Sequence, residues 1–308
     1  MEAHLNRKLQ SIADAMPGWD AAKLKTWPLV GGLMNSNWLI NHDGQDYFMK
    51  LFGEGSENFV DRRLSYEAAS QAHALGISPR IALFDPEMGV EIVEFLRGYR
   101  ASTNADFSRR DFLQSVVELY RQFNSGQKLS TTKDVFAMTD EHIEQGRELG
   151  VLVPADFDWL LVQYERAKAA FMASGLDLAP CHNDAMPGNF MVAMTEDDRI
   201  KDMKMIDFEF ASNNERAYEI GIFFGEVFVD EVTTNELIEQ YYGTARREFL
   251  ARVWVIRAVA DIKWGSWAVQ QRRLSSWDFD FQKYGIWKYA RARRLFDDPR
   301  WNEWLAAI

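Results

Sequence analysis

Apolar residues recur along the first hundred positions with two different spacings. Leu5, Leu9, Ile12 and Met16 recur every three or four residues, which predicts a helix over residues 1–16. The following segments have strand character, with turn residues between them, apart from one helical stretch at 58–75. The predicted strands are 28–40 (two strands around a glycine turn), 45–52, 80–84 and 90–96. This region therefore predicts a small antiparallel sheet with one inserted helix.

Helical spacing dominates the chain beyond Gly98. The predicted helices are 108–123, 139–149, 156–174, 217–229, 235–242, 245–271 and 279–295. The change of pattern near Arg97 predicts two domains, an N-terminal lobe over 1–96 and a C-terminal lobe over 97–308. The expected fold class is α+β, with two lobes and a cleft between them.

Composition narrows the class of protein. The 308-residue chain has a formal net charge of -11, which argues against a nucleic-acid binder. A single cysteine, Cys181, rules out an intrachain disulfide and favours the cytoplasm. The N-terminal segment mixes charged and apolar residues, unlike a secretory signal, and no apolar run is long enough to predict membrane insertion.

The polar chemistry is concentrated between Cys181 and Phe210. Asp184 and Asn189 lie five residues apart around a Pro-Gly turn, and an apolar run over 203–206 leads to Asp207. Phosphoryl transfer needs one carboxylate to orient a hydroxyl, and an amide and a second carboxylate to hold Mg²⁺. The alternative is an ordinary loop, because Asn, Asp, Pro and Gly are common turn residues.

Asp207 and Glu209 are separated by one residue, so strand alternation would place both carboxylates on one face. Such a pair needs a cation between its members, which favours a metal site over the alternative of a solvent-facing hairpin edge. His182 precedes Asp184 by two residues, and a structural hydrogen bond is the favoured interpretation over a catalytic base.

Two features of the N-terminal lobe are ambiguous by themselves. Gly31 and Gly32 would permit a backbone to approach phosphate, although many turns have the same composition. Lys50 and Glu67 would form an ion pair that positions a phosphate-binding lysine, or they are unrelated surface charges.

Three features of the C-terminal lobe either bind a cation in one interpretation or are themselves cationic. Trp264 and Trp267 share a helix face and form either an aromatic wall for an ammonium group or part of the core. Glu226 lies in an apolar helical stretch, so it faces solvent or meets a cation, for which a bound cationic substrate would serve. The basic run 291–294 is interpreted as the solvated face of the last helix.

The segments HNDAMPGN and MIDFEF resemble the choline/ethanolamine kinase branch of the aminoglycoside-phosphotransferase-like kinases, which have the protein-kinase-like fold. His182, Asp184 and Asn189 match the family's H-x-D-x-x-x-x-N motif. Residues 206–210 match its I-D-[FW]-E-[YF] motif, in which Glu209 stands where protein kinases have Gly.

The resemblance covers most of the chain and implies further site residues. Residues 1–27 and 100–179 contribute little to it. It implies nucleotide contacts in the N-terminal lobe and substrate contacts in three predicted helices of the C-terminal lobe. The implied nucleotide residues are Gly31, Gly32, Asn35, Lys50, Glu67, Glu94, Phe95 and Leu96. The implied substrate residues are Glu226, Trp264, Trp267 and, by spacing, Tyr284.

The resemblance implies an ATP-dependent kinase that phosphorylates the hydroxyl of choline or a close amino alcohol. Asp184 would align the hydroxyl, and Asn189 and Asp207, with Glu209 as a further ligand, would hold Mg²⁺. Ethanolamine, a sugar and an aminoglycoside stay open as substrates. A catalytically silent protein that binds choline or a nucleotide is the alternative from a different functional class.

Overall fold

The structure is a computed structural model that describes residues 2–29, 35–53, 60–275 and 278–308, with side chains from residue 7 onward. The chain forms two compact units. Unit 1 consists of residues 1–100 and 191–209, and unit 2 consists of residues 101–190 and 210–308. Residues 191–209 belong to unit 1, whereas the predicted lobes, 1–96 and 97–308, assigned them to the C-terminal lobe.

Within the described residues the strands form three sheets, and the largest is antiparallel with the order β1-β2-β3-β5-β4. The second has the order β6-β8-β9, and β10 pairs with β7 in the third. The strands are β1 Lys25–Leu29, β2 Ser36–His42, β3 Gln45–Leu51, β4 Ile81–Asp85, β5 Val90–Glu94, β6 Tyr99–Ala101, β7 Leu178–Cys181, β8 Phe190–Met194, β9 Ile200–Met205 and β10 Ser212–Glu215.

Most of the helices in the described residues belong to unit 2, which agrees with the predicted α+β fold. Unit 1 contains α1 Glu2–Ala15 and α2 Arg62–Ala74. The helices of unit 2 are α3 Arg110–Asn124, α4 Val135–Glu148, α5 Phe157–Ser174, α6 Arg216–Glu226, α7 Glu231–Tyr242, α8 Arg247–Leu274, α9 Phe281–Phe296 and α10 Trp301–Ala307. The sequence analysis missed α10 and the β7–β10 ladder. None of the helices in the described ranges is long and apolar enough to cross a membrane.

Local signals explain the positions of the elements in unit 1. Asp43 and Gly44 have φ angles of 48° and 86°, which is the geometry of a tight turn, and they join β2 to β3. The helix α2 begins later than the predicted residue 58, because the Asp61 carboxylate accepts hydrogen bonds from the amides of Arg63 and Leu64. Buried side chains of α1 and the sheet, among them Ile12 and Met49, form the core.

In unit 2, α8 is a 28-residue helix that is buried along most of its length. Two glycines allow α9 to pack closely against it. A Cβ atom at Gly265 would lie 2.9 Å from the Tyr289 ring, and one at Gly285 would lie 3.1 Å from the Gly265 carbonyl oxygen. This close packing fixes the helix pair that carries Trp264, Trp267 and Tyr284.

Candidate functional site

The predicted site residues of unit 1 converge on a buried cluster of charges, which we call the lysine cluster. Its members are Asn35, Lys50, Arg62, Asp207 and Glu209. The Nζ atom of Lys50 lies 2.7 Å from Oδ1 of Asp207 and 3.3 Å from Oε1 of Glu209. The same Glu209 oxygen accepts hydrogen bonds from Arg62 at 2.6 Å and from Asn35 at 2.8 Å. Two cations thus face two carboxylates.

The charges of the lysine cluster determine the ionisation of Lys50. Burial acts to lower the pKa of its ammonium, but Asp207, Glu209 and Glu91 outweigh burial and raise that pKa above its ordinary value. Burial raises the pKa of the neighbouring Glu91 carboxyl. Lys50 is therefore a permanent cation at any physiological pH.

The predicted alternation of Asp207 and Glu209 on a strand is wrong. β9 ends at Met205, and Asp207 has a φ angle of +67°, a left-handed conformation that a strand does not contain. The two side chains also differ in exposure, 37% for Asp207 and 4% for Glu209. The cation between them in this structure is Lys50.

The expected ion pair of Lys50 with Glu67 also differs from the structure. The ion partners of Lys50 are Asp207 and Glu209, whereas Glu67 is a half-buried residue of α2. Lys50 reaches the end of β9 because β3 turns its side chain inward, where only 7% of the residue is exposed. Two carboxylates at contact distance already compensate its charge.

The other predicted nucleotide residues occupy several places in unit 1. Gly31 and Gly32 lie outside the described residues. Asn35 accepts a hydrogen bond from the Gly53 amide as well as donating to Glu209. Three consecutive residues at the end of β5 line a cavity of about 520 Å³, and these are Glu94, Phe95 and Leu96.

In unit 2, the loop after β7 carries Asp184 and Asn189, as the motif predicts. The turn at Pro187–Asn189 brings the Asn189 amide back, and its Nδ2 donates to Oδ2 of Asp184 at 3.0 Å. This bond orients the half-buried Asp184 carboxylate. The amide of Asp184 donates to Nδ1 of His182 at 3.3 Å, which is the structural role favoured for His182.

A buried carboxylate that sequence reasoning missed supports this loop. Glu219 of α6 is fully buried and accepts hydrogen bonds from the backbone amides of His182 and Asn183. Burial raises the pKa of Glu219, and the donors at His182 and Asn183 oppose that effect. Its signal in the sequence was an acidic residue within the apolar run of α6.

The loop backbone is held from its other side by an asparagine. Asn183 has a φ angle of +65°, which is uncommon for a residue with a side chain. Its side chain donates to the Phe210 carbonyl and the Ser212 hydroxyl and accepts from Asn214. The side chains of Asn183 and Glu219 therefore fix the strained backbone that presents Asp184.

The predicted substrate aromatics are neighbours in unit 2 and form an aromatic cluster. It consists of Phe210, Trp264, Trp267, Phe281 and Tyr284. The ring centroid of Trp267 lies 5.4 Å from that of Trp264 and 6.4 Å from that of Tyr284. Phe210 and Phe281 complete the cluster at 5.7 Å from Trp264 and 5.8 Å from Trp267. The sequence analysis did not assign these two residues to it.

Glu226 meets cations of the protein itself, in agreement with one of the two alternatives expected for it. Its carboxylate is bonded to Lys288 and lies 3.0 Å from Arg291, and Arg291 also binds Asp261. Burial acts to raise the pKa of Glu226, but Lys288 and Arg291 outweigh it and lower that pKa. Arg291 is therefore part of a buried charge network. The expectation that the basic run 291–294 forms a solvated helix face is wrong for this residue.

The predicted metal ligands offer oxygen atoms, which magnesium prefers. Asp207 supplies a partly exposed carboxylate, and Asn189 an amide oxygen opposite the nitrogen that binds Asp184. Glu209 is less suited, because one of its oxygens already accepts from three donors. Among the described residues, no group of three His, Cys, Asp or Glu side chains is arranged to hold a metal.

Comparison with known proteins gives consistent similarities. Residues 28–243 match the sequence model of the family described as choline/ethanolamine kinase. A LicA protein of Haemophilus influenzae is 22% identical over 218 residues, which are 69% of this chain and 61% of that protein. The chain thus spans less than two thirds of that relative. Ethanolamine kinase 2 of Homo sapiens is 22% identical over 316 residues, covering 91% of this chain and 78% of the relative.

Solved structures share the fold. A choline/ethanolamine kinase family protein from Mesorhizobium loti has a TM-score of 0.82 at 24% identity, and 98% of each chain is covered. The choline kinase LicA from Streptococcus pneumoniae has a TM-score of 0.76 at 20% identity, covering 96% of this chain and 98% of that chain. These similarities confirm the predicted α+β fold with an antiparallel sheet and a helical part.

Proposed function

Because the chain belongs to the choline/ethanolamine kinase family, we propose that it is an ATP-dependent kinase for the hydroxyl group of choline or a close amino alcohol. The observation that carries the proposal is the hydrogen bond from Asn189 to Asp184 within the doubly supported loop. It presents one carboxylate in a fixed orientation, as a kinase needs for its acceptor hydroxyl.

In the proposed reaction, Asp184 binds the hydroxyl and accepts its proton as the oxygen attacks the γ-phosphorus of ATP. The bond between that phosphorus and the β–γ bridging oxygen breaks, so ADP leaves and the alcohol becomes a phosphate monoester. Asn189 holds the Asp184 carboxylate in position throughout. Glu219 acts through the backbone of the same loop.

The lysine cluster is proposed to serve the nucleotide. Lys50 keeps its charge and is proposed to bind ATP phosphates, while Arg62 and Asn35 hold Glu209 beside it. Asn189 and Asp207, with Glu209, are proposed to hold Mg²⁺, which neutralises phosphate charge when bound. The remaining proposed nucleotide residues are Gly31, Gly32, Glu67, Glu94, Phe95 and Leu96.

The aromatic cluster is proposed to receive the head group of the substrate. Ring faces attract a quaternary ammonium without requiring hydrogen bonds, which favours choline over ethanolamine. Trp264, Trp267 and Tyr284 are the proposed contacts. Glu226 is proposed to contribute a carboxylate, although it shares its charge with Lys288 and Arg291.

A coupled ADP-release assay tests the proposal across choline, ethanolamine, sugars and aminoglycosides. We expect choline to stimulate ADP release most. We expect Asp184→Asn to lower kcat by about a thousandfold while ATP binding is retained. Asp158→Asn, an exposed change on α5, is the matched control. ADP release with another substrate class, and none with any amino alcohol, would overturn the proposal.

A further inference from the structure

A buried lysine occupies the aromatic cluster in the structure. Lys263 of α8 is 2% exposed, and its Nζ atom lies 3.2 Å from the Trp264 ring centroid and 5.5 Å from that of Phe210. Within the described part of the chain, no carboxylate lies within ion-pair distance of this ammonium, and it has no hydrogen-bond acceptor. Its contacts are ring faces, the kind of contact proposed for the substrate ammonium.

Charged groups from several parts of unit 2 act on the charge of Lys263. Asp184 in the loop after β7 and Glu141 on α4 attract its charge, and the ammonium groups of Lys133 and Lys288 repel it. His142 on α4 is also nearby, and burial keeps its imidazole neutral by lowering its pKa to about 3. Burial has the largest effect on Lys263 and lowers its pKa to about 7.

The ammonium of a second lysine, Lys288, contacts the ring of Tyr284 in the same cluster. The Nζ atom of Lys288 lies 4.8 Å from the Tyr284 ring centroid and is bonded to Glu226. In this network the carboxylates of Glu226 and Asp261 face the cations of Lys288 and Arg291, and the guanidinium of Arg257 also interacts with Asp261. A bound organic cation at these rings would therefore be repelled by the ammonium of Lys263 as long as Lys263 stays protonated.

We propose that Lys263 is a specificity-determining residue, whose ammonium competes with the cationic head group of the substrate for the face of Trp264. This inference rests on the proposed function and adds a preference to it. Cationic alcohols bind well only when Lys263 is neutral or withdrawn, and an uncharged alcohol of the same shape has no such requirement. The competing interpretation is a lysine that only fills the core.

The wild-type protein provides the first test, which needs no variant. Choline has no titrating nitrogen, so its KM reports on the protein. The KM for choline should fall about tenfold between about pH 6 and about pH 8.5. The reference substrate is the uncharged isostere in which carbon replaces the choline nitrogen. The ratio of the two KM values removes any effect of pH on ATP or on Asp184.

Variants provide the second test. Lys263→Met keeps the length of the side chain and removes the charge, so its KM for choline should be about tenfold lower at about pH 6 and independent of pH. Lys263→Arg cannot lose its proton, so the high KM should persist across the pH range. Lys201→Met, an exposed change on β9, is the control and should match the wild type.

The outcomes separate this proposal from the proposed function. If the wild type and Lys263→Met turn over choline with the same KM ratio at both pH values, Lys263 is a core residue and the proposal fails, while the kinase assignment stands. ADP release with a sugar or an aminoglycoside, and with no amino alcohol in either protein, would overturn the proposed function and this proposal with it.

Discussion

The Nζ atom of Lys50 lies 2.7 Å from Oδ1 of Asp207, although 157 residues separate the two in sequence. One is on a strand of the large sheet and the other follows β9 in a left-handed backbone conformation. Glu209 joins this pair, since one of its carboxylate oxygens also accepts a hydrogen bond from Lys50.

The Lys50–Asp207 pair predicts a loss of activity when the cation is removed. Lys50→Met should lower kcat/KM for ATP by at least about a hundredfold, because it removes the proposed phosphate-binding cation and leaves Asp207 without this partner. Steady-state kinetics with varied ATP measures the effect. The control is Lys23→Met, which breaks the exposed pair with Asp43 and should leave kcat/KM unchanged. Activity close to wild type in Lys50→Met would remove Lys50 from the nucleotide site.

The second prediction concerns stability. Arg62→Met should lower the free energy of unfolding by roughly 2 to 4 kcal/mol, because it leaves the buried Glu209 with less compensation for its charge. Urea denaturation measures the change. The comparison is Arg97→Met, whose guanidinium is 75% exposed beside Asp46, and which should change stability by less than about 1 kcal/mol. Equal losses of unfolding free energy in the two variants would show that the buried Arg62–Glu209 pair stabilises the protein no more than an exposed pair does.

The third prediction tests whether Glu219 positions the loop that carries Asp184 for catalysis or only stabilises the fold. Glu219→Gln should lower kcat by about a hundredfold and leave KM for ATP within about twofold, because the amide replaces one of the oxygens that accept from His182 and Asn183. Glu219→Asp should restore part of kcat. The exposed change Glu239→Gln on α7 is the control. A loss of stability with normal kcat in the folded fraction would instead indicate a structural role alone.

The fourth prediction follows from the pKa of Lys263. It is lowered from 10.5 to about 7 in the folded protein. Below about pH 7 both the folded and the unfolded chain carry the proton, so the full cost of burying the charge is present. Between the two pKa values only the unfolded chain is protonated, and stability rises with pH.

Lys263→Met should therefore stabilise the protein by roughly 5 kcal/mol at about pH 6, and the gain should shrink as the pH rises towards 10. Chemical denaturation at several pH values measures it. Lys201→Met serves again as the exposed reference. A gain that does not change with pH would contradict the assigned cost of the buried ammonium.

Local patterns predicted the fold well, because they report on contacts near in sequence. The strand and helix segments follow from apolar spacing, and the Asp184–Asn189 pair lies within one loop whose Pro-Gly turn is visible in the chain. The motifs of this loop and of residues 206–210 also indicated the family that the comparison confirms.

Long-range partners could not be predicted in the same way. The sequence shows that Glu226 is an acid in an apolar helix, but not that Lys288 and Arg291 neutralise it from α9. Asp207 and Glu209 were assigned to a strand face because φ angles are invisible in a sequence. Glu219, like Glu226, is an acidic residue within the apolar run of α6, but the sequence analysis did not single it out. The two carboxylates differ in their partners, which only the fold determines.

The chain crosses from one unit to the other three times, after residues 100, 190 and 209. These crossings have a consequence for folding during synthesis on the ribosome. Unit 1 includes residues 191–209, where the Met205 amide donates to the Ile77 carbonyl and Lys204 donates to that of Gly76. A nascent chain that ends before this segment lacks Asp207 and Glu209, the two carboxylates with which Lys50 and Arg62 form ion pairs. The N-terminal unit therefore completes its folding only after about two thirds of the protein has been translated.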